Sequence, residues 1–113
     1  MSGIALRVRD LGERAHLSQD DVGRIVGVAP RTVARWVAGD ASPQQSAKER
    51  LLELAYVAEQ LVDVLGLSAS DANLWIFAPN RLLGGSKPSE LIHDGQYRRV
   101  LELIEALADG IVA

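Results

Sequence analysis

No cysteine occurs anywhere in the 113 residues. Disulfides and thiolate metal sites are thereby excluded, which suits a reducing cytoplasm. Aromatic residues are scarce, at 4% against 48% apolar residues, so the core must be built from Ala, Leu and Val, the make-up of a helical protein. Alternating β-branched stretches are nearly absent, which argues against sheets. No apolar run approaches the ~18 residues that a membrane span needs. The N-terminus lacks the basic-then-apolar order of a signal peptide. There is no internal repeat and no low-complexity stretch. A cytoplasmic chain with no membrane partner is expected, of a length that fits one domain or two very small ones.

What is present centres on residues 19–38, QDDVGRIVGVAPRTVARWVA. Val22 and Val26 lie one turn apart on a first short helix, and Val33 and Trp36 share one face of a second. Gly27 stands between them, where a tight turn favours a residue free to take positive φ. Gly23 leaves the crossing point without a side chain, so the helices can pack closely. Pro30 suits the first turn of the second helix, where its missing N–H costs nothing. This is a helix-turn-helix pattern. It resembles the Xre and phage-repressor class down to residues 32–39, TVARWVAG. Ser18 is a good N-cap for the first of these helices, with Asp20 and Asp21 at its positive end.

The rest reads as further helices. Ile4 to Ala15 backs the motif, with Val8, Leu11 and Ala15 on one face. Gly39 caps the recognition helix, and Pro43 is expected to open a long helix from Gln44 to Leu65, ~33 Å at 1.5 Å per residue. That length exceeds what a repressor head needs, so the helix is expected to link the head to a second unit. Leu54, Leu61 and Leu65 are then candidates for a homodimer contact. Ser70 or Asp71 is expected to cap a helix through Phe77. Pro79 to Pro88 is the least regular stretch. A short helix from Pro88 to about His93 follows, then a final one from Gln96 to Asp109. The expected organisation is a head over 1–43, a linking helix over 44–66 and a second unit over 67–113. Charge divides the same way: residues 1–50 carry eight basic and six acidic side chains, residues 51–113 four and nine. DNA affinity is largely a phosphate-neutralising effect. A lone protomer should therefore bind DNA weakly, and the acidic second half calls for a partner that is not nucleic acid.

Arg31, Thr32 and Arg35 fall toward the N-terminal half of the recognition helix, the end that enters the major groove in this motif class. An arginine there can make a bidentate contact to guanine, and Gln19 is placed to reach a phosphate. Arg24 and Lys48 read equally well as phosphate contacts or as surface charge. Trp36, Trp75 and Phe77 read as core, and His16 and His93 as surface. No nucleophile, base and orienting group come together, and neither histidine has a metal-binding neighbour at helical spacing. Neither catalysis, a metal nor a cofactor is expected.

Residues 75–92, WIFAPNRLLGGSKPSELI, followed by 94–100, DGQYRRV, resemble the signature of the Xre/MbcA/ParS antitoxin family: an aromatic, Pro-Asn, a Leu-rich turn, Gly, then Pro-x-Glu-Leu. With the Xre-like head the resemblance covers nearly the whole chain. It implies an all-α protein with a helix-turn-helix head, a long linking helix and a C-terminal helical toxin-binding domain. It implies an antitoxin of a type II toxin–antitoxin pair. Its partner would be a RES-domain toxin that consumes NAD, neutralised by blocking the NAD pocket, and the pair would repress its own promoter DNA. The expected toxin contacts are the irregular segment, with Asn80, Arg81, Lys87, Pro88 and Glu90, and the apolar tail Ile111, Val112 and Ala113. The terminal carboxylate of that tail can enter a pocket built for phosphates. Asn80 reads equally well as a cap of the following turn. The alternative is a stand-alone helix-turn-helix regulator whose C-terminal half only dimerises.

Overall fold

The computed structural model describes residues 3–110, so the tail Ile111, Val112 and Ala113 lies outside the described residues. Seven α-helices follow one another: α1 (Gly3–Ala15), α2 (Gln19–Val26), α3 (Pro30–Ala38), α4 (Gln45–Asp63), α5 (Ala69–Phe77), α6 (Pro88–His93) and α7 (Tyr97–Ala108). One 3-10 turn, Arg81–Leu83, interrupts the loop before α6. No strand occurs among the described residues, and the all-α expectation holds.

Local chemistry explains most helix ends. Ser18 and Asp21 form a reciprocal capping box: the Ser18 hydroxyl accepts from the Asp21 N–H, and the Asp21 carboxylate accepts from the Ser18 N–H, both at 3.0 Å. Two otherwise orphaned amides are thereby satisfied. Gly27 closes α2 in the left-handed region at φ 87°, which a side chain adopts only with strain. Gly23 is required for a different reason. A Cβ there would lie 2.7 Å from the Val28 carbonyl oxygen, so the turn between α2 and α3 closes directly over its backbone.

Three boundaries differ from the sequence reading. Ser68, rather than Ser70 or Asp71, caps α5, its hydroxyl accepting from the Asp71 N–H at 3.1 Å. Pro43 lies before the N-cap Gln44, so α4 opens at Gln45. That helix ends at Asp63, two residues short of Leu65, where the backbone turns toward Gly66.

The core is continuous. Buried side chains from the head (Leu11, Val22, Val33, Trp36), from α4 (Leu51, Leu54, Val57, Leu61) and from the C-terminal half (Ile76, Ile92, Val100, Ile104) form one cluster. α4 lies against α1, α2, α5, α6 and α7. The helix expected to link two units therefore runs as a spine through a shared core. Leu54 and Leu61, expected at a dimer contact, are fully buried within their own chain, because the apolar stripe of α4 is covered by the chain's other helices. Leu65 is half-buried against the same core.

Polar contacts reinforce the seam between the halves. α1 packs on α5 and α2 on α6. The Asn73 amide on α5 donates to the carbonyls of Ala15 and His16, at 3.1 and 3.2 Å. It thereby satisfies acceptors at the C-terminal end of α1 and holds His16 at a positive φ of 51°. Arg14 joins α1 to the end of α4, 2.9 Å from Asp63 and 3.1 Å from Asp10. Hydrogen bonds to these two carboxylates, Asp63 first, push its guanidinium pKa further above its usual value.

Two outcomes follow from this packing. In each of the chains Trp75→Phe and Trp36→Phe, the thermal midpoint read by the remaining tryptophan should coincide with the midpoint read by far-UV circular dichroism on the same chain. Separate midpoints within one chain would mean that the core divides. Gly23→Ala should destabilise the fold by about 1–3 kcal/mol, since the added methyl meets rigid backbone, and a urea titration reads this directly.

Candidate functional site

The chain presents two candidate surfaces, one on the head and one on the C-terminal half. On the head, α3 is anchored through Val33 and Trp36, which are 0% and 2% exposed. That burial fixes which side chains face out. Arg31 and Arg35 are exposed one turn apart, and Thr32 between them is half-buried. Gln19 is exposed in the first turn of α2. Neither arginine has an ion-pair partner among the described residues. Arg31 in the first turn and Arg35 in the last turn thus present two guanidinium groups on the outer face of α3.

On the C-terminal half, the segment between α5 and α6 is irregular but closed on itself. The Asn80 side chain accepts from the Leu82 N–H at 2.9 Å. The Asn80 N–H donates to the Ser86 carbonyl at 3.0 Å, and the Asn80 carbonyl accepts from Leu83 and Gly85 at 3.0 and 2.9 Å. Asn80 is thus the cap that one of its two sequence readings gave it, and its side-chain oxygen is spent on the turn. Arg99 of α7 adds a long contact at 3.5 Å to the Leu83 carbonyl. Leu83 points inward, 4% exposed, while Arg81 and Leu82 point out, with Leu82 47% exposed.

The remaining predicted toxin contacts divide in the same way. Lys87 is exposed at the N-cap of α6, and Glu90 is exposed in its first turn. Pro88 is fully buried. It starts α6 directly after the N-cap Lys87, and its ring faces the interior instead of the surface. Lys87 and Glu90 come together on the wall of an open cleft of about 420 Å³. Its opposite wall is α2 of the head, with Arg24 and Ile25, and Phe77 of α5 also lines it.

This cleft joins residues that the sequence left apart. Arg24 read equally well as phosphate contact or surface charge, yet it faces the C-terminal half. His93 is exposed, as expected, but its Nδ1 lies 3.0 Å from the Ile25 carbonyl, a bond that ties α6 to α2. No local signal marks such a bond, since its partners are 68 residues apart. The Ser68-to-Asp71 cap did carry a signal, because it repeats the Ser18-to-Asp21 spacing. Among the described residues, no group of three or more His, Cys, Asp or Glu side chains gathers to hold a metal.

Residues 60–110, beginning in the last turn of α4, match the family described as the antitoxin Xre/MbcA/ParS C-terminal toxin-binding domain. Over 108 residues the chain is 52% identical to the mycobacterial cidal antitoxin MbcA of Mycobacterium tuberculosis and of Mycobacterium bovis. Those matches cover 96% of this chain and 94% of each relative. A probable mycobacterial cidal antitoxin of Mycobacterium tuberculosis is 32% identical over 94 residues, covering 83% of this chain and 78% of that one. The fold is also similar to a chain of the crystallised M. tuberculosis MbcT–MbcA toxin–antitoxin complex, with a TM-score of 0.86, 48% identity and full coverage of both chains. Relatives and structure agree along the length of the chain, and the chain therefore belongs to the Xre/MbcA/ParS family of antitoxins, which bind toxins and are not enzymes.

Proposed function

We propose that this antitoxin neutralises a RES-domain, NAD-consuming toxin by covering the mouth of its active site, and that with the toxin it represses its own promoter. The observation that carries the reading is the segment Asn80–Lys87. Its side chains Arg81, Leu82 and Lys87 are exposed, yet its backbone is tied by its own hydrogen bonds. A pre-ordered loop loses little conformational entropy on docking, and occlusion asks no chemistry of the chain that provides it. The relative that was crystallised was in complex with its toxin, which supports the same pairing here. The acidic C-terminal half suits a toxin whose pocket is cationic to hold a dinucleotide's phosphates. Ile111, Val112 and Ala113 are proposed as a second toxin contact.

The head supports promoter binding through Arg31 and Arg35, with Thr32 and Gln19 beside them, in the cytoplasm where promoter DNA is accessible. A homodimer within a larger toxin–antitoxin complex fits this role, since two heads bind two half-sites. Leu54 and Leu61 are buried, so the contact would use exposed apolar positions such as Leu6, Tyr56 and Val64.

Two measurements test the reading. Lys87→Glu should raise the antitoxin concentration needed to halve NAD consumption by the toxin at least tenfold. Its position at the surface leaves the fold intact, and undiminished inhibition would remove this segment from the toxin site. Arg31→Ala combined with Arg35→Ala should abolish specific promoter binding in a gel shift. Each bidentate contact contributes about 1–3 kcal/mol of base discrimination. Inhibition of the toxin should persist in the double variant, and specific DNA binding that persists would exclude α3 as the reading helix.

A further inference from the structure

The cleft between α2 and α6 holds four charged side chains, Arg24, Lys87, Glu90 and Asp94. None of the four makes an ion pair or a side-chain hydrogen bond among the described residues. Asp94 is placed against the interest of its own helix, whereas Glu90 in the first turn of α6 and Arg24 in the last turn of α2 suit the helix dipole. Glu90 and Asp94 are like charges four residues apart, an arrangement that costs a helix a few tenths of a kcal/mol. Asp94 is also the C-cap of α6, where the helix dipole disfavours an anion. Phe77, half-buried, lines the same cleft and presents an apolar surface between the charges.

Charges without a side-chain partner among the described residues, set around a half-buried aromatic, suit a protein-binding surface. The arrangement disfavours DNA as the occupant, because the two carboxylates of Glu90 and Asp94 repel a phosphate backbone that approaches Arg24. The cleft instead fits a polypeptide that carries both charge signs and an apolar anchor. It is also contiguous with the exposed segment that ends at Lys87, the segment assigned above to the toxin.

We infer that the toxin-binding surface crosses the seam onto the head: Arg24 of α2, with Glu90 and Asp94 of α6, grips a charged segment of the toxin over Phe77. The inference rests on the proposed pairing with a RES-domain toxin. It makes α2, half of the DNA-reading motif, a toxin contact as well.

The experiment measures toxin affinity of the full-length chain by isothermal titration, beside promoter binding by gel shift and thermal stability of the free antitoxin. Arg24→Glu should weaken toxin binding at least tenfold and lower the melting temperature by only a few degrees, because the side chain is exposed and loses only a favourable place at the helix end. Asp94→Asn should weaken toxin binding while the free chain melts at the same or a higher temperature, since a like-charge pair and an unfavourable cap are both relieved. A loss of less than tenfold for Arg24→Glu overturns the inference. So does loss of promoter binding by Arg24→Glu with toxin binding intact, which would make Arg24 a phosphate contact. Undiminished binding by Asp94→Asn overturns the part given to the acidic wall. If the unaltered chain fails to bind the toxin, the pairing itself is overturned, and this surface with it. Loss confined to the Arg24 and Asp94 variants is therefore distinguishable from failure of the pairing.

Discussion

The structure depends on the burial of one stripe along α4. Leu51, Leu54, Val57, Ala58 and Leu61 are at most 1% exposed, and helices from both halves supply their cover. Helices in proteins owe most of their stability to the packing of an apolar face rather than to propensity, and α4, of nineteen residues, carries its apolar face along its length. Here it is held by tertiary packing, and neither half has a complete core without it. Ile76 and Ile92 from the C-terminal half share that core with Val22 and Val33 from the head. The orientation of the head is therefore set by side chains that belong to the toxin-binding half.

What the sequence revealed is what is decided locally. Ser18, Gly27, Pro30 and Gly39 act on backbone groups within a few residues, and each was readable from type and spacing. Trp36 was placed in the core because its helical neighbours were apolar in phase. The errors lie where distant segments decide. Periodicity marked Leu54 and Leu61 as an apolar face but not what covers it, and α1, α2, α5, α6 and α7 cover α4 from inside the chain. Pro88 had the right residue type for a binding turn, yet its ring is buried. Arg24 could not be assigned from sequence, because its surroundings come from α6, more than sixty residues further along. His93 was placed at the surface correctly, but its bond to the Ile25 carbonyl depends on the same long-range packing.

The irregular segment shows how exposure and order coexist. A loop with few packed side chains is usually mobile. Here Asn80 supplies its side-chain oxygen, N–H and carbonyl to the same short loop, and Leu83 inserts into the core. The outward side chains Arg81, Leu82 and Lys87 consequently stand on a defined backbone. Such a surface can fill another protein's pocket without first paying to become ordered.

Shared packing also constrains how the head and the toxin-facing surface communicate. In a protein with a flexible linker, a partner bound to one half changes the other only by raising its effective concentration. In this chain α2 lies directly against α6, and α1 against α5, with Asn73 and His93 bridging the two contacts. Whatever holds α6 in place therefore also fixes α2, and with it the direction in which α3 presents Arg31 and Arg35. Two heads carried by one assembly would stand at a spacing set by that assembly. Paired DNA half-sites accept only spacings near whole helical turns. Under the proposed promoter binding, geometry of the complex rather than charge on any single head would select the DNA, which is consistent with a chain whose net charge is negative.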